Sequence, residues 1–354
     1  MTKDRRLDSP YTHPLGPDHE PQALSSDESN ATPDGADNRC EASAMKPLSI
    51  WPIPVILIIS LACYLVASVL ALLVAAVAVH GRITVAMFSD IAFISSLTQS
   101  RVGFPFIVVI PQVAMIVPAL IAAWLSPLGL RRRLHLVRGH WPIGVWCLAA
   151  LATPLIGMIS SIVVGLFMED SESLVEMSKT FRDLAGEGFL LPLAFLIGAT
   201  PGVCEELLFR GYVQSRLTSR YPALIGILVT SIIFAAFHMD LVHSTAVFAL
   251  GVWLGWISWQ SGSIFPAMLA HFVNNVTSVF AVAIGPEPGS TDVPLGLAMG
   301  MIAVFFLGFG AFFATLASAW RYRPPSDILA HARPLPESTE AILPVDAQHP
   351  SLPS

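Results

Sequence analysis

The chain has 354 residues, of which 54% are hydrophobic and only 12% charged, with a formal net charge of −6. Soluble domains carry about 25% charged residues, so the composition excludes an ordinary soluble protein and points to a polytopic membrane protein. The acidic residues concentrate towards the ends of the chain and in one loop, forming no charged face, and nothing in the balance suggests a nucleic-acid partner.

Residues 1–47 hold Asp, Glu, Ser, Pro and Asn with almost no aliphatic clustering. Such a composition cannot bury enough apolar surface to offset chain entropy, which predicts a disordered tail. A secretory signal would put its apolar region near residue 10, so the first hydrophobic helix is expected to be a retained anchor. With about 20 apolar residues needed to cross the hydrocarbon core, the sequence predicts eight membrane helices: 50–79, 104–126, 141–167, 189–211, 222–238, 244–260, 263–284 and 295–320. The stretch 83–97 is too short and interrupted to span, and suits an interfacial or re-entrant piece. Beyond residue 324 the Pro-rich sequence predicts a second disordered tail. The expected fold class is all-α, a polytopic membrane helical bundle.

Basic residues orient this bundle. Arg131, Arg132, Arg133 and Arg138 follow the second helix, Arg216 and Arg220 the fourth, and Arg321 and Arg323 the eighth. The loop after the third helix is acidic, with Glu169, Asp170, Glu172 and Glu176. The positive-inside rule then puts both termini in the cytoplasm. Trp51, Trp124, Trp141 and Trp320 fall near helix ends, as an aromatic belt would, and His135 and His140 sit in the basic loop as interface residues. Gly251 and Gly255 form G-x-x-x-G in the sixth helix, read as close packing within the bundle. Cys40, Cys63, Cys147 and Cys204 are scattered, without disulfide or metal-finger spacing, and Cys204 in apolar surroundings is a poor nucleophile.

Against this background the polar residues inside predicted helices stand out. Glu205, Glu206 and Arg210 lie in the fourth helix, His238 ends the fifth, and His271 and Asn275 share the seventh. An ionised side chain at bilayer depth costs about 2.5–3.5 kcal/mol even on the lenient insertion scale, which makes each a functional-site candidate. Glu205 and His238 lie 16 residues either side of the turn near Tyr221 and Pro222, about 24 Å at 1.5 Å per residue, and so share a depth. Glu206 and Arg210 are i, i+4, as are His271 and Asn275, so each pair lies on one helix face. Pairing Glu206 with Arg210 leaves Glu205, rotated about 100° away, available for chemistry. Each element also has a structural reading: a buried ion pair for Glu206 and Arg210, a helix-end histidine bonded to a carbonyl for His238, and interhelical polar glue for His271 and Asn275. Together, at compatible depths on neighbouring helices, they suit water-activating hydrolysis. Asp240 and His243 fall in the predicted external turn, where solvent can satisfy them.

The segments E-E-L-L-F-R (Glu205–Arg210), F-A-A-F-H (Phe234–His238) and H-F-V-N-N (His271–Asn275) resemble the EExxxR, FxxxH and HxxxN motifs of the CAAX protease and bacteriocin-processing family, also called the ABI family, of intramembrane proteases. The resemblance covers about 189–284 and divides the chain into N-terminal membrane helices (48–187), a protease core (188–285), a last helix (286–323) and the two tails. It implies that Glu205 activates water together with His238, that His271 and Asn275 stabilise the oxyanion, that Glu206 pairs with Arg210, and that Phe234 packs the site. Glu205, His238 and His271 are the candidate ligands for a divalent metal such as Zn, which the residue types leave open. The implied partners are the bilayer and a membrane-associated, prenylated or leader-type polypeptide substrate. The rival readings are a non-enzymatic immunity or partner-binding membrane protein with a structural polar cluster, and a proton-coupled transporter, for which no internal inverted repeat is found.

Overall fold

The computed structural model describes residues 49–84, 90–127, 129–285 and 293–322. The tails predicted at 1–47 and 324–354 lie outside these residues, as do 85–89 within the predicted interfacial piece and Cys40. Among the described residues the chain is helical throughout: α1 Pro52–His80, α2 Ile91–Thr98, α3 Gly103–Trp124, α4 Leu130–Arg133, α5 Ile143–Gly165, α6 Glu172–Leu184, α7 Leu190–Glu206, α8 Ser215–Thr218, α9 Ala223–Ala236, α10 Leu241–Ser261, α11 Phe265–Ile284 and α12 Leu295–Arg321. Two π-helical segments, Ala185–Phe189 and Leu207–Gln214, join α6 to α7 and α7 to α8. Among the described residues seven helices are long and apolar enough to cross a membrane. The chain is an integral multi-pass membrane protein.

Three elements depart from expectation. The predicted helix 222–238 is the 14-residue α9, about 21 Å long against a hydrocarbon core of about 30 Å. The chain therefore turns at Phe237–Asp240 short of a full crossing. The predicted fourth helix runs on past 211 to Thr218, because Leu207–Gln214 is a buried π segment that does not break the rod. The acidic loop contains α6, whose Ser171 side chain accepts from Leu174 N and which buries Thr180, Phe181 and Leu184 on one face.

α1 packs on α3, α7 on α3 and α11, α5 on α11 and α12, and α9 on α10. One core joins α1, α3, the second π segment and α9 through Ile53, Met115, Ile116, Leu208, Phe209, Tyr212 and Phe234. Another joins α5, α10, α11 and α12. Large apolar side chains such as Ile58, Val66, Leu191, Phe195, Phe306 and Leu307 stay exposed on the outside, the surface a lipid would cover. Trp51, Trp124 and Trp320 are exposed near helix ends, but Trp141 is 1% exposed and packs edge-on against Trp256, a core residue and not part of an aromatic belt.

Gly251 and Gly255 act within the bundle. A Cβ on Gly251 would approach Phe234 Cδ1 to 3.1 Å, and one on Gly255 would approach Gln214 Oε1 to 2.7 Å. Their bare surfaces let Arg210 and Gln214 reach the two glycine carbonyls, at 3.0 and 2.9 Å. At one end of the bundle His140 N donates to Ser261 O (3.0 Å) and Gln260 Nε2 to Ala319 O (3.0 Å), so the α4 loop, the α10–α11 turn and the end of α12 lie together. The arginines of the α4 loop and Arg321 gather there. The acidic loop joins Asp240 at the other end, through Ser173 Oγ donating to Asp240 Oδ2 (2.7 Å).

Candidate active site

The site grows from the last turn of α7. Glu206 Oε1 accepts from Arg210 Nη1 at 2.8 Å, and neither side chain has any exposed surface. The same oxygen accepts from His271 Nδ1 at 2.9 Å. Arg210 Nη2 donates to Gly251 O, and its guanidinium lies 4.5 Å over the Phe234 ring. Glu206 is thus the hub between α10, α11 and the π segment, holding His271 as well as the arginine expected from i, i+4 spacing.

Because a carboxylate can only accept, His271 Nδ1 carries the proton of that bond, and in the neutral ring Nε2 keeps a lone pair. Nε2 faces Glu205 Oε2 at 3.9 Å. That is too long for a hydrogen bond, and a single water about 2.8 Å from each atom would bridge it. Glu205 Oε1 accepts from Gln112 Nε2 at 2.9 Å, whereas buried Oε2 has no hydrogen-bond partner. Glu206 Oε2 is likewise buried without a partner, but of the two it is Glu205 Oε2 that faces the free ring nitrogen of His271.

His238 follows α9, where its Nδ1 donates to Phe234 O at 3.0 Å. The structural expectation for this histidine is therefore met, and the same bond leaves Nε2 as the basic nitrogen. Phe234 stands between the two histidines, its ring centre 5.0 Å from His238 and 6.0 Å from His271. Glu205 interacts electrostatically with both. Asn275 lies one turn along α11 from His271, with Nδ2 donating to Ile197 O (3.2 Å) and Oδ1 accepting from Asn274 Nδ2 (3.2 Å). Glu206, Arg210 and His271 are thus joined by hydrogen bonds, Glu205 by its 3.9 Å approach to His271, His238 by the Phe234 ring, and Asn275 by the shared helix.

Asp240 lies in the accessible turn expected between α9 and α10, whereas His243 falls within the first turn of α10 and is half-buried. Asp240 caps α10, accepting from His243 N at 2.8 Å, and the His243 ring lies 4.7 Å from that of His238. Hydrogen bonds from His243 N, Ser171 and Ser173 hold the Asp240 carboxyl down at about 2. Gln112 escaped the sequence reading because it lies on α3, 93 residues from Glu205. Its signal was a lone amide in an otherwise apolar span, directly after Pro111. Tyr64 of α1 also interacts electrostatically with Glu205.

Among the described residues no three His, Cys, Asp or Glu side chains are arranged to hold a metal ion. Glu205 and His271 face one another but make two ligands, where catalytic Zn takes three from the protein plus a water. The candidates Glu205, His238 and His271 do not form a ready ligand set. A hollow of about 360 Å³ lined by Asp170, Glu172, Val175, Glu176 and Lys179 lies at the acidic end and shares no residue with this cluster.

Residues 187–277, which span α7 to most of α11, match the family model described as type II CAAX prenyl endopeptidase Rce1-like. Over these residues the chain is similar to that family of membrane proteases. No curated protein and no solved structure matches it. At family level the activity is CAAX-type intramembrane proteolysis, a hydrolase reaction on a polypeptide in a bilayer setting. Gln112 and Tyr64 come from α3 and α1, outside the matched segment.

Proposed function

We propose that the chain is an intramembrane endopeptidase in which Glu205 is the general base that activates water for peptide-bond hydrolysis. The observation that carries this reading is the buried, unpartnered Glu205 Oε2 facing His271 Nε2 at 3.9 Å. A water between them would donate one hydrogen to each and keep its lone pairs free for attack. As its oxygen adds to the scissile carbonyl carbon, Glu205 takes the proton and the carbonyl oxygen becomes an oxyanion. Asn275 has a second amide hydrogen beyond the one given to Ile197 O, and we assign it to that oxyanion. The proton then passes from Glu205, with His238 as its basic partner, to the leaving nitrogen as the C–N bond breaks. Glu206 fixes the His271 tautomer, and Arg210 neutralises Glu206. The substrate class is a membrane-associated polypeptide of the prenylated or leader type.

The test is cleavage of a fluorogenic peptide library, including prenylated peptides, by purified protein in liposomes, with and without a chelator. Glu205→Gln keeps the shape and the Gln112 bond while removing the base, so turnover should collapse and bound substrate should persist. Sustained cleavage by Glu205→Gln protein would rule out this mechanism, and loss of wild-type activity with chelator, restored by Zn, would require a metal at the site.

A further inference from the structure

A second polar cluster lies at the basic end of the bundle, away from Glu205. Arg216 of α8 is 2% exposed, its guanidinium stacked 3.4 Å from the Tyr212 ring centre, with Nη1 donating to Tyr212 O at 3.0 Å. Arg133 of α4 is half-buried, and it acts electrostatically on both Tyr212 and Arg216. The backbone brings these elements together: a Cβ on Gly211 would lie 3.1 Å from Leu134 O. Arg216 Nε and Arg133 Nε and Nη1 are buried without a hydrogen-bond partner, and among the described residues neither arginine pairs with a carboxylate.

Two guanidinium groups that act on one another electrostatically, one buried and one half-buried, with unpartnered N–H groups and no carboxylate, are destabilised unless a counter-charge is supplied. Guanidinium N–H groups match phosphate oxygens in geometry and charge. The cluster sits at a helix end beside exposed Arg131, Arg132 and Arg138, and basic pockets between the ends of membrane helices bind anionic headgroups. We propose that Arg133 and Arg216, with Tyr212 as the stacking platform, form a binding site for a phosphate group, supplied by an anionic phospholipid. Arg216 Nε and Arg133 Nε and Nη1 donate to its oxygens. The bound headgroup clamps the α4 loop to the end of the rod that carries Glu205.

The site is tested with the full chain, delipidated in detergent, by following thermal unfolding while phosphatidylglycerol, phosphatidylcholine or inorganic phosphate is added. Wild-type protein should be stabilised by phosphatidylglycerol and not by phosphatidylcholine. Arg133→Gln should weaken the apparent lipid affinity at least about tenfold, since it removes both charge-assisted bonds from Arg133 and each is worth about that factor or more, and the exposed-residue control Arg131→Gln/Arg132→Gln should respond almost as wild type. An equal shift with millimolar inorganic phosphate, lost in Arg133→Gln, keeps the phosphate site and makes its source soluble. Equal shifts in wild type and Arg133→Gln, or a response abolished by the exposed-residue control alone, overturn the proposal. Arg216→Gln removes a packed side chain, so Arg216→Lys is tested beside it: Lys keeps the charge but not the planar fork, and wild-type affinity in Arg216→Lys would also sink the assigned geometry.

Discussion

Replacing Glu206 separates support from chemistry. Its Oε1 accepts from Arg210 at 2.8 Å and from His271 at 2.9 Å, with all three side chains buried. In Glu206→Ala, Arg210 keeps only the Gly251 carbonyl and the Phe234 face. A buried charge stripped of its partner costs about 3–5 kcal/mol, and the unmet His271 Nδ1 donor adds about 1–3 kcal/mol. Folded proteins hold about 5–15 kcal/mol in all, so this variant should accumulate poorly, whereas Glu205→Ala should accumulate normally and be inactive. Glu206→Gln keeps an acceptor oxygen and should lose less. The double variant Glu206→Leu/Arg210→Met removes both charges and should recover most of the stability, yet remain inactive because nothing orients His271. Denaturant unfolding of purified protein in mixed micelles, alongside peptide cleavage, reads both quantities. If Glu206→Ala unfolds within about 0.5 kcal/mol of wild type, the size of an ordinary surface substitution, or if the double variant cleaves normally, the role given to Glu206 is wrong.

Asn275→Ala should lower kcat about 10²–10³-fold, the usual loss for one oxyanion donor, with KM little changed; a raised KM at constant kcat would instead make Asn275 a substrate-binding residue. Gln112→Leu removes the donor to Glu205 Oε1 and should lower kcat while the protein still reaches the membrane, since the change lies on α3 in an apolar setting; unchanged kinetics would show that Glu205 needs no such anchor. Asp240→Asn should weaken the start of α10. The Asp240 carboxyl lies below its ordinary 3.8, at about 2, so its contribution is complete above about pH 4 and fades as pH falls towards about 2. The unfolding-temperature gap between wild type and Asp240→Asn should be flat at neutral pH and close across that window, and a gap that widens on acidification contradicts the capping role.

The spans were legible because apolar runs of about 20 residues have few alternatives, and the pairs at i, i+4 were legible because helix geometry fixes them. Glu206 with Arg210 followed from that spacing alone, as did the common face of His271 and Asn275. What spacing could not show was contact between helices distant in sequence. The bond from Gln112 to Glu205 and that from His271 to Glu206 depend on how α3 and α11 pack on α7, and neither has a local signature. The same limit explains Trp141, whose place near a helix end suited an interface but which packs on Trp256 of α10, more than 100 residues away. His243 was misjudged because α10 begins three residues earlier than its apolar pattern suggests, which carries that ring to His238.

The π segment explains why two adjacent glutamates serve different ends. Its i→i+5 bonding widens the helix directly after Glu206, and π bulges recur at functional sites. All eight of its residues are buried, so Arg210 and Gln214 spend their donors on the Gly251 and Gly255 carbonyls of α10, tying that helix to the rod. With Arg210 so placed, Glu206 meets its counter-charge and His271, while Glu205 faces α3 and is held there by Gln112. The charge that remains at the site is then Glu205 itself, held by a single amide from outside the matched segment and turned towards His271. On the proposed reading, the Gln112 amide fixes the carboxylate and its second oxygen is turned towards His271 Nε2, which is the placement that proton transfer from an intervening water requires.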